Sequence, residues 1–160
     1  MKTKIFFIFM GILMFPVIRE TQAQRPEEAI QKLLKEAPQV SIFTHTTDPQ
    51  GNIYIAGVFA DSILISNHVY RSRGMLDIFI ARLNPGGEVM WFKHAGGSNL
   101  DYFKYIETDK EANVYVSALF RGRLVFEDTA IFSDGISRHF TIKYTPDGEM
   151  LWIRKNAIYR

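Results

Sequence analysis

The side chains able to do chemistry in this sequence are few and scattered. The four histidines, His45, His68, His94 and His139, form neither an HExxH stretch nor a helical i, i+4 pair, the spacings that would bring two imidazoles onto one zinc ion. There is no cysteine, which removes thiolate nucleophiles, disulfides, thiolate-bound zinc and a lipid-bearing cysteine. Asp101, Asp109, Asp128, Asp134 and Asp147 fall singly in turns and loops, and none opens an EF-hand loop. No GxSxG, P-loop or dinucleotide glycine pattern is present, and Gly96 and Gly97 read as a turn between larger elements rather than a phosphate cradle. No catalytic residue, metal or cofactor is expected. Recognition is left to loops, where a rigid scaffold usually carries it. The loop Arg71, Ser72, Arg73 and a second loop, Ser133, Asp134, Gly135, differ in charge, and Arg71, Arg73 and Asp134 are the candidate ligand-binding residues.

The elements that would position these residues follow from composition and pattern. The 160 residues are 47% hydrophobic, 14% aromatic and 22% charged, an ordinary globular composition that argues against disorder. Of 19 Lys and Arg and 17 Asp and Glu, three cations (Lys2, Lys4, Arg19) and one anion (Glu20) lie in the first 23 residues, so the remainder balances at zero. That balance excludes the uniform basic field that draws in nucleic acid, and no nucleic-acid partner is expected.

Lys2 and Lys4 precede an apolar run from Ile5 to Ile18, and Thr21, Gln22 and Ala23 follow it with small and polar side chains. This is the order of a secretory signal: basic start, apolar stretch, small-residue cleavage site after Ala23. The run is shorter than the roughly 20 residues a helix needs to cross a bilayer. The expectation is export to the cell surface, periplasm or medium, with no stable membrane insertion once residues 1–23 are removed. Residues 24–40 form a short linker and helix: Pro26 suits a first helical position, and Ala29, Ile30, Leu33 and Leu34 share a face over Glu27 to Ala37, with Pro38 as the stop. That face is expected to cap an edge of the following structure.

From residue 41 the sequence repeats itself. Thr47, Asp48, Asn52, Tyr54, Phe59, Ser72, Gly74, Phe79, Pro85, Gly87, Glu88 and Trp91 recur as Thr108, Asp109, Asn113, Tyr115, Phe120, Ser133, Gly135, Phe140, Pro146, Gly148, Glu149 and Trp152, every pair 61 apart without a gap. Residues 41–101 and 102–160 are therefore two copies of one unit. Each copy offers four strands: SIFTHT, NIYIAGVF, DIFIARL and EVMWFKH in the first, YFKYIET, NVYVSALF, HFTIKY and EMLWIRK in the second. A weaker run, ILISNHVY, lies between the second and third strands of the first copy. Asn84-Pro85-Gly86-Gly87 and Thr145-Pro146-Asp147-Gly148 set the last hairpin of each copy, because Pro fixes φ and Gly accepts positive φ. Inner strands apolar on both faces belong to sheets covered on both sides. The fold class is thus all-β, with two four-stranded antiparallel sheets of the kind stacked as β-propeller blades. Trp91 and Trp152 could stack on sugars, but their recurrence speaks for packing between sheets.

The run WFKHAGGSNLDYFKYIETDKEANVYVSALF, with DIFIARLNPGGEVMWFK before it and HFTIKYTPDGEMLWIRK after it, resembles the SBBP-type β-propeller repeat of secreted bacterial proteins. Trp91, Lys93, Gly96, Gly97, Asp101, Asp109, Asn113, Tyr115, Val116, Phe140, Lys143, Gly148 and Trp152 carry the resemblance over about residues 41–157. Ala112 departs from it, standing where a glycine is usual. The resemblance implies a scaffold or surface-interaction role and no catalytic set. Propellers close with about four to eight blades, so two copies are expected to leave an apolar face at each end, whether as a fragment of a longer propeller, as a protomer that completes a ring by self-association, or as a stand-alone pair of sheets with those faces covered by the N-terminal helix and a partner. The expected partners are a second copy or another protein covering those faces, with a glycan as a further ligand class. The rival class is a hydrolase or lyase whose propeller-face active site is completed by further blades.

Overall fold

The computed structural model describes residues 25–37, 39–99 and 101–155; the expected export signal and the Pro38 stop lie outside these residues. Among the described residues the protein is mostly β, with antiparallel sheets, one short helix and twelve strands. Helix α1 (Pro26–Glu36) starts with its proline in the first turn and Glu27 and Glu28 near the positive end of its dipole. Twelve strands follow: β1 (Val40–Thr47), β2 (Ile53–Phe59), β3 (Ser62–Ile65), β4 (His68–Arg71), β5 (Asp77–Leu83), β6 (Val89–Gly96), β7 (Tyr102–Thr108), β8 (Val114–Phe120), β9 (Arg123–Phe126), β10 (Thr129–Phe132), β11 (Arg138–Tyr144) and β12 (Met150–Lys155).

The 61-residue offset reappears in the strand registers. Ile53 faces Leu83 across β2 and β5, and Val114 faces Tyr144 across β8 and β11. The irregularities repeat as well. Phe43 interrupts the β1–β2 register where Lys104 interrupts β7–β8, and Met90 and Leu151 stand at matching breaks in β5–β6 and β11–β12. A bulge residue has no cross-strand partner and is turned outward, which accounts for the exposure of Phe43, Met90 and Leu151.

Each copy holds two strands more than its sequence pattern indicates. The run 63–70 is a hairpin, β3 and β4, turned at Ser66 and Asn67, both at positive φ, and β9 and β10 are its counterpart. The second hairpin does not stay with its own sheet. Ala95 and Gly96 of β6 pair with Phe126 and Val125 of β9, giving one sheet in the order β1-β2-β5-β6-β9-β10 beside another in the order β12-β11-β8-β7. The second unit thereby lends two strands to the edge of the first.

Two cores result. Tyr54, Ala56, Val58, Ile78 and Ile80 of the first unit pack against Val114, Val116, Ala118, Phe140 and Ile142 of the second, with Leu124 and Phe126 closing the side. The other face of the first sheet, Ile53, Ile55, Phe59, Phe79, Ala81 and Leu83, packs with Ala29, Leu33 and Ala37 of α1 and with Ile63 and Ile65 of β3. The expected bare apolar face at that end is thus closed by the helix. At the other end the outward face of the second sheet has Ser117, His139 and Thr141 at the positions of Ala56, Ile78 and Ile80. His139 is exposed there, while Ser117 and Thr141 are buried polar side chains. Ser117 there donates from Oγ to the Phe140 carbonyl at 3.0 Å.

The repeated polar residues are spent on turns and on the joint. In both units an aspartate accepts from the backbone and side-chain amides of an asparagine four residues on and from a tyrosine hydroxyl: Asn52 N to Asp48 at 2.9 Å and Asn113 N to Asp109 at 2.8 Å, with Tyr54 at 3.4 Å and Tyr115 at 3.1 Å. At the joint, Trp91 Nε1 and Arg82 Nη1 donate to the Pro146 carbonyl at 2.8 and 3.0 Å, and the single proton of the Tyr54 hydroxyl is shared between Asp48 and the Ala112 carbonyl, at 3.4 and 3.3 Å. Gly148 lies flat on the Trp91 ring, where a Cβ would come within 3.0 Å.

Candidate functional site

The loop between β4 and β5 and the end of β6 bring a carboxylate, an imidazole and a guanidinium together. Asp77, the first residue of β5, is fully buried. Its carboxylate accepts from the Arg73 backbone N–H at 2.9 Å and lies 2.8 Å from His94 Nδ1. A carboxylate only accepts, so Nδ1 carries the proton in this pair. The Arg73 guanidinium stands 3.8 Å from Asp77 and against the His94 ring, with Nη1 3.3 Å from Nδ1 and 3.5 Å from Nε2. Phe59 and Tyr70 meet the imidazole edge-on, which fixes its plane.

Asp77 reaches this position because Gly96 has no side chain: a Cβ there would sit 2.0 Å from Asp77 Oδ1. Gly97 and Gly74 are equally tight, against the Arg123 and Gly97 carbonyls. Gly96 ends β6, and Gly96 and Gly97 are required by close approach of neighbouring segments, not by the turn read from sequence. Asp101 lies beside this corner, buried, with its Oδ2 lacking a hydrogen bond among the described residues. Burial, helped by the charge of Asp77 and opposed by the Gly97 N–H, pushes its carboxyl up to about 7.

Two of the three candidate residues find local partners. Arg73 pairs with Asp77, four residues on, and Asp134 pairs with Arg138 in the same i, i+4 relation, through Arg138 Nε at 2.8 Å and a second bond from Nη2. Positions 73 and 77 carry Arg and Asp in the first unit; their counterparts 134 and 138 carry Asp and Arg. The difference in loop charge noted in the sequence is a reversed ion pair. Arg71 is exposed at the end of β4 and makes no ion pair with a described residue. Asp77 was invisible to the self-comparison because its counterpart is Arg138, and His94 because its counterpart is Lys155.

Chemically, the corner is a carboxylate-oriented imidazole with a guanidinium at its mouth. No described hydroxyl is hydrogen-bonded to His94; Ser72 Oγ donates to the Gly74 carbonyl instead. Among the described residues no group of three or more His, Asp or Glu is placed to hold a metal ion. No helix among them is long and apolar enough to cross a membrane. No protein-family model matches the chain, and no curated protein matches it.

Proposed function

We propose that this protein is an exported, non-enzymatic β-propeller-repeat scaffold that binds protein or glycan at the cell surface. The observation that carries the reading is the use of the repeated polar residues: Asp48, Asn52 and Tyr54 and their counterparts Asp109, Asn113 and Tyr115 build turns, and Trp91 builds the joint, which leaves variable loops as the recognition surface. The signal-like first 23 residues and the resemblance to the SBBP-type repeat support export and the propeller class. The test is to express the full chain in a Gram-negative host, sequence the mature N-terminus by mass spectrometry and apply the product to glycan and surface-protein arrays. A mature chain beginning at Gln24, with array binding that R71A weakens, is the expected result. An uncleaved cytoplasmic product that binds nothing overturns it.

A second reading, hydrolase or lyase, is favoured by the Asp77–His94 pair, since a carboxylate that fixes an imidazole is half of a general-base device. Turnover on a panel of chromogenic esters and glycosides and on unsaturation-forming polysaccharides, lost in H94A, would establish it.

A further inference from the structure

The joint between the two units recognises a particular shape. Trp91 and Arg82 converge on one acceptor, the carbonyl of Pro146; Gly148 packs flat on the indole because it has no Cβ; and Asp147 brings its carboxylate to 3.9 Å from Arg82. Together these groups read a Pro-Asp-Gly tight turn: a carbonyl held by two donors and a bare glycine against a ring face, with the largely exposed acidic side chain in reach of a cation.

The same set stands at the far end of the second unit, 61 residues on. Trp152, Lys143 and Tyr115 occupy the places of Trp91, Arg82 and Tyr54. Tyr115 lies 5.9 Å from the Trp152 ring, as Tyr54 lies 6.0 Å from that of Trp91, while Lys143 Nζ, where Arg82 meets the turn, is held 3.1 Å from Asp109 and over the Tyr115 ring. Both Trp152 and Lys143 are partly exposed, and Trp152 Nε1 has no hydrogen-bond partner among the described residues. The Arg154 guanidinium lies over the indole, 4.6 Å from the ring centroid.

We propose that Trp152, Lys143 and Tyr115 form a turn-binding cradle that receives a Pro-Asp-Gly tight turn from a partner polypeptide carrying the same kind of repeat. The surface is continuous in kind with an interface the chain already makes within itself. Charge selects the turn, because Lys143 stands beside the indole and favours an acidic residue between Pro and Gly. The first unit's own Asn84-Pro85-Gly86-Gly87 turn lacks that acid and borders the cleft beneath α1, so a second copy of this chain is the poorer occupant. The inference rests on the binding-scaffold reading and names its partner class.

The test uses ¹⁵N-labelled protein of the full mature chain and a cyclised peptide of residues 142–151. With two tryptophans in the chain, the indole N–H region holds two signals, and W152F assigns them. Addition of peptide is expected to move the Trp152 signal and leave the Trp91 signal in place. Lys143→Ala should weaken binding about tenfold, the loss of a hydrogen bond to a charged group. Arg154→Ala should tighten it about two- to fivefold by removing the guanidinium that competes for the ring. A Trp152 signal unmoved at millimolar peptide, or moved equally by a peptide with Ala in place of Gly148, overturns the cradle while array binding would keep the scaffold reading. A Trp152 shift with protein concentration alone would overturn the separate partner and put a second copy in its place.

Discussion

At Ala112 the second unit departs from its own pattern, and the backbone shows what the departure costs. Its counterpart Gly51 has φ of 80°, and Ala112 is held at 60° in a turn with the same hydrogen bonds. That region crowds a Cβ, so Ala112→Gly should stabilise the protein by about 1 kcal/mol, the relief of strain exceeding the added freedom of the unfolded chain. Chemical denaturation measures it directly. Asp101 gives a pH dependence. Its carboxyl is raised from 3.8 to about 7 in the folded state, so the native protein holds this proton more tightly than the unfolded chain. Its contribution to stability therefore falls as pH rises from about 4 to about 7 and levels off above. Asp101→Asn should match the wild type near pH 4 and exceed it at pH 8. Asp109 works in the opposite sense: some desolvation opposes ionisation, yet hydrogen bonds from Asn113, Lys143 and Tyr115 hold its carboxyl down at about 2. Its stabilisation is present above about 4 and fades as pH drops towards 2.

At the scale of elements, α1 has the most consequence for stability. Leu33 is 3% exposed and sits in the core that the helix shares with β2, β3 and β5. Leu33→Ala should cost about 2 to 5 kcal/mol by the usual penalty for emptying a packed site. A loss below 1 kcal/mol in urea unfolding would mean that the helix does not seal that face. The helix was legible in sequence from Pro26 and the spacing of Ala29, Ile30, Leu33 and Leu34, and the eight longer strands from short apolar runs repeated 61 residues apart and the Pro-Gly turns. The hairpins β3–β4 and β9–β10 were not, because Ser66-Asn67 and Glu127-Asp128 lack the glycine that marks a two-residue turn, and four-residue strands carry little periodicity. The pairing of β9 with β6 left no trace either, since strand partners across units depend on packing rather than on local pattern. Of the site, Arg73 and Asp134 were legible as charged loop positions. Their ion partners Asp77 and Arg138 were not, because a reversed charge pair reads as variation when two copies are compared position by position.

Across the whole molecule two copies of one sheet stack in a repeating relation, with a helix closing one end and polar side chains standing at the other. The joint couples the copies through Trp91, Arg82 and the lent hairpin, so the units should unfold together. The most direct measurement is at the strand pair that bridges the copies, Ala95 with Phe126, together with the indole N–H of Trp91. The account predicts cross-strand NOEs between Ala95 and Phe126 and slow hydrogen exchange of the Trp91 indole. Absence of those NOEs in a protein that still shows the Val125–Ala130 pairing within the hairpin, with the indole exchanging freely, would contradict it.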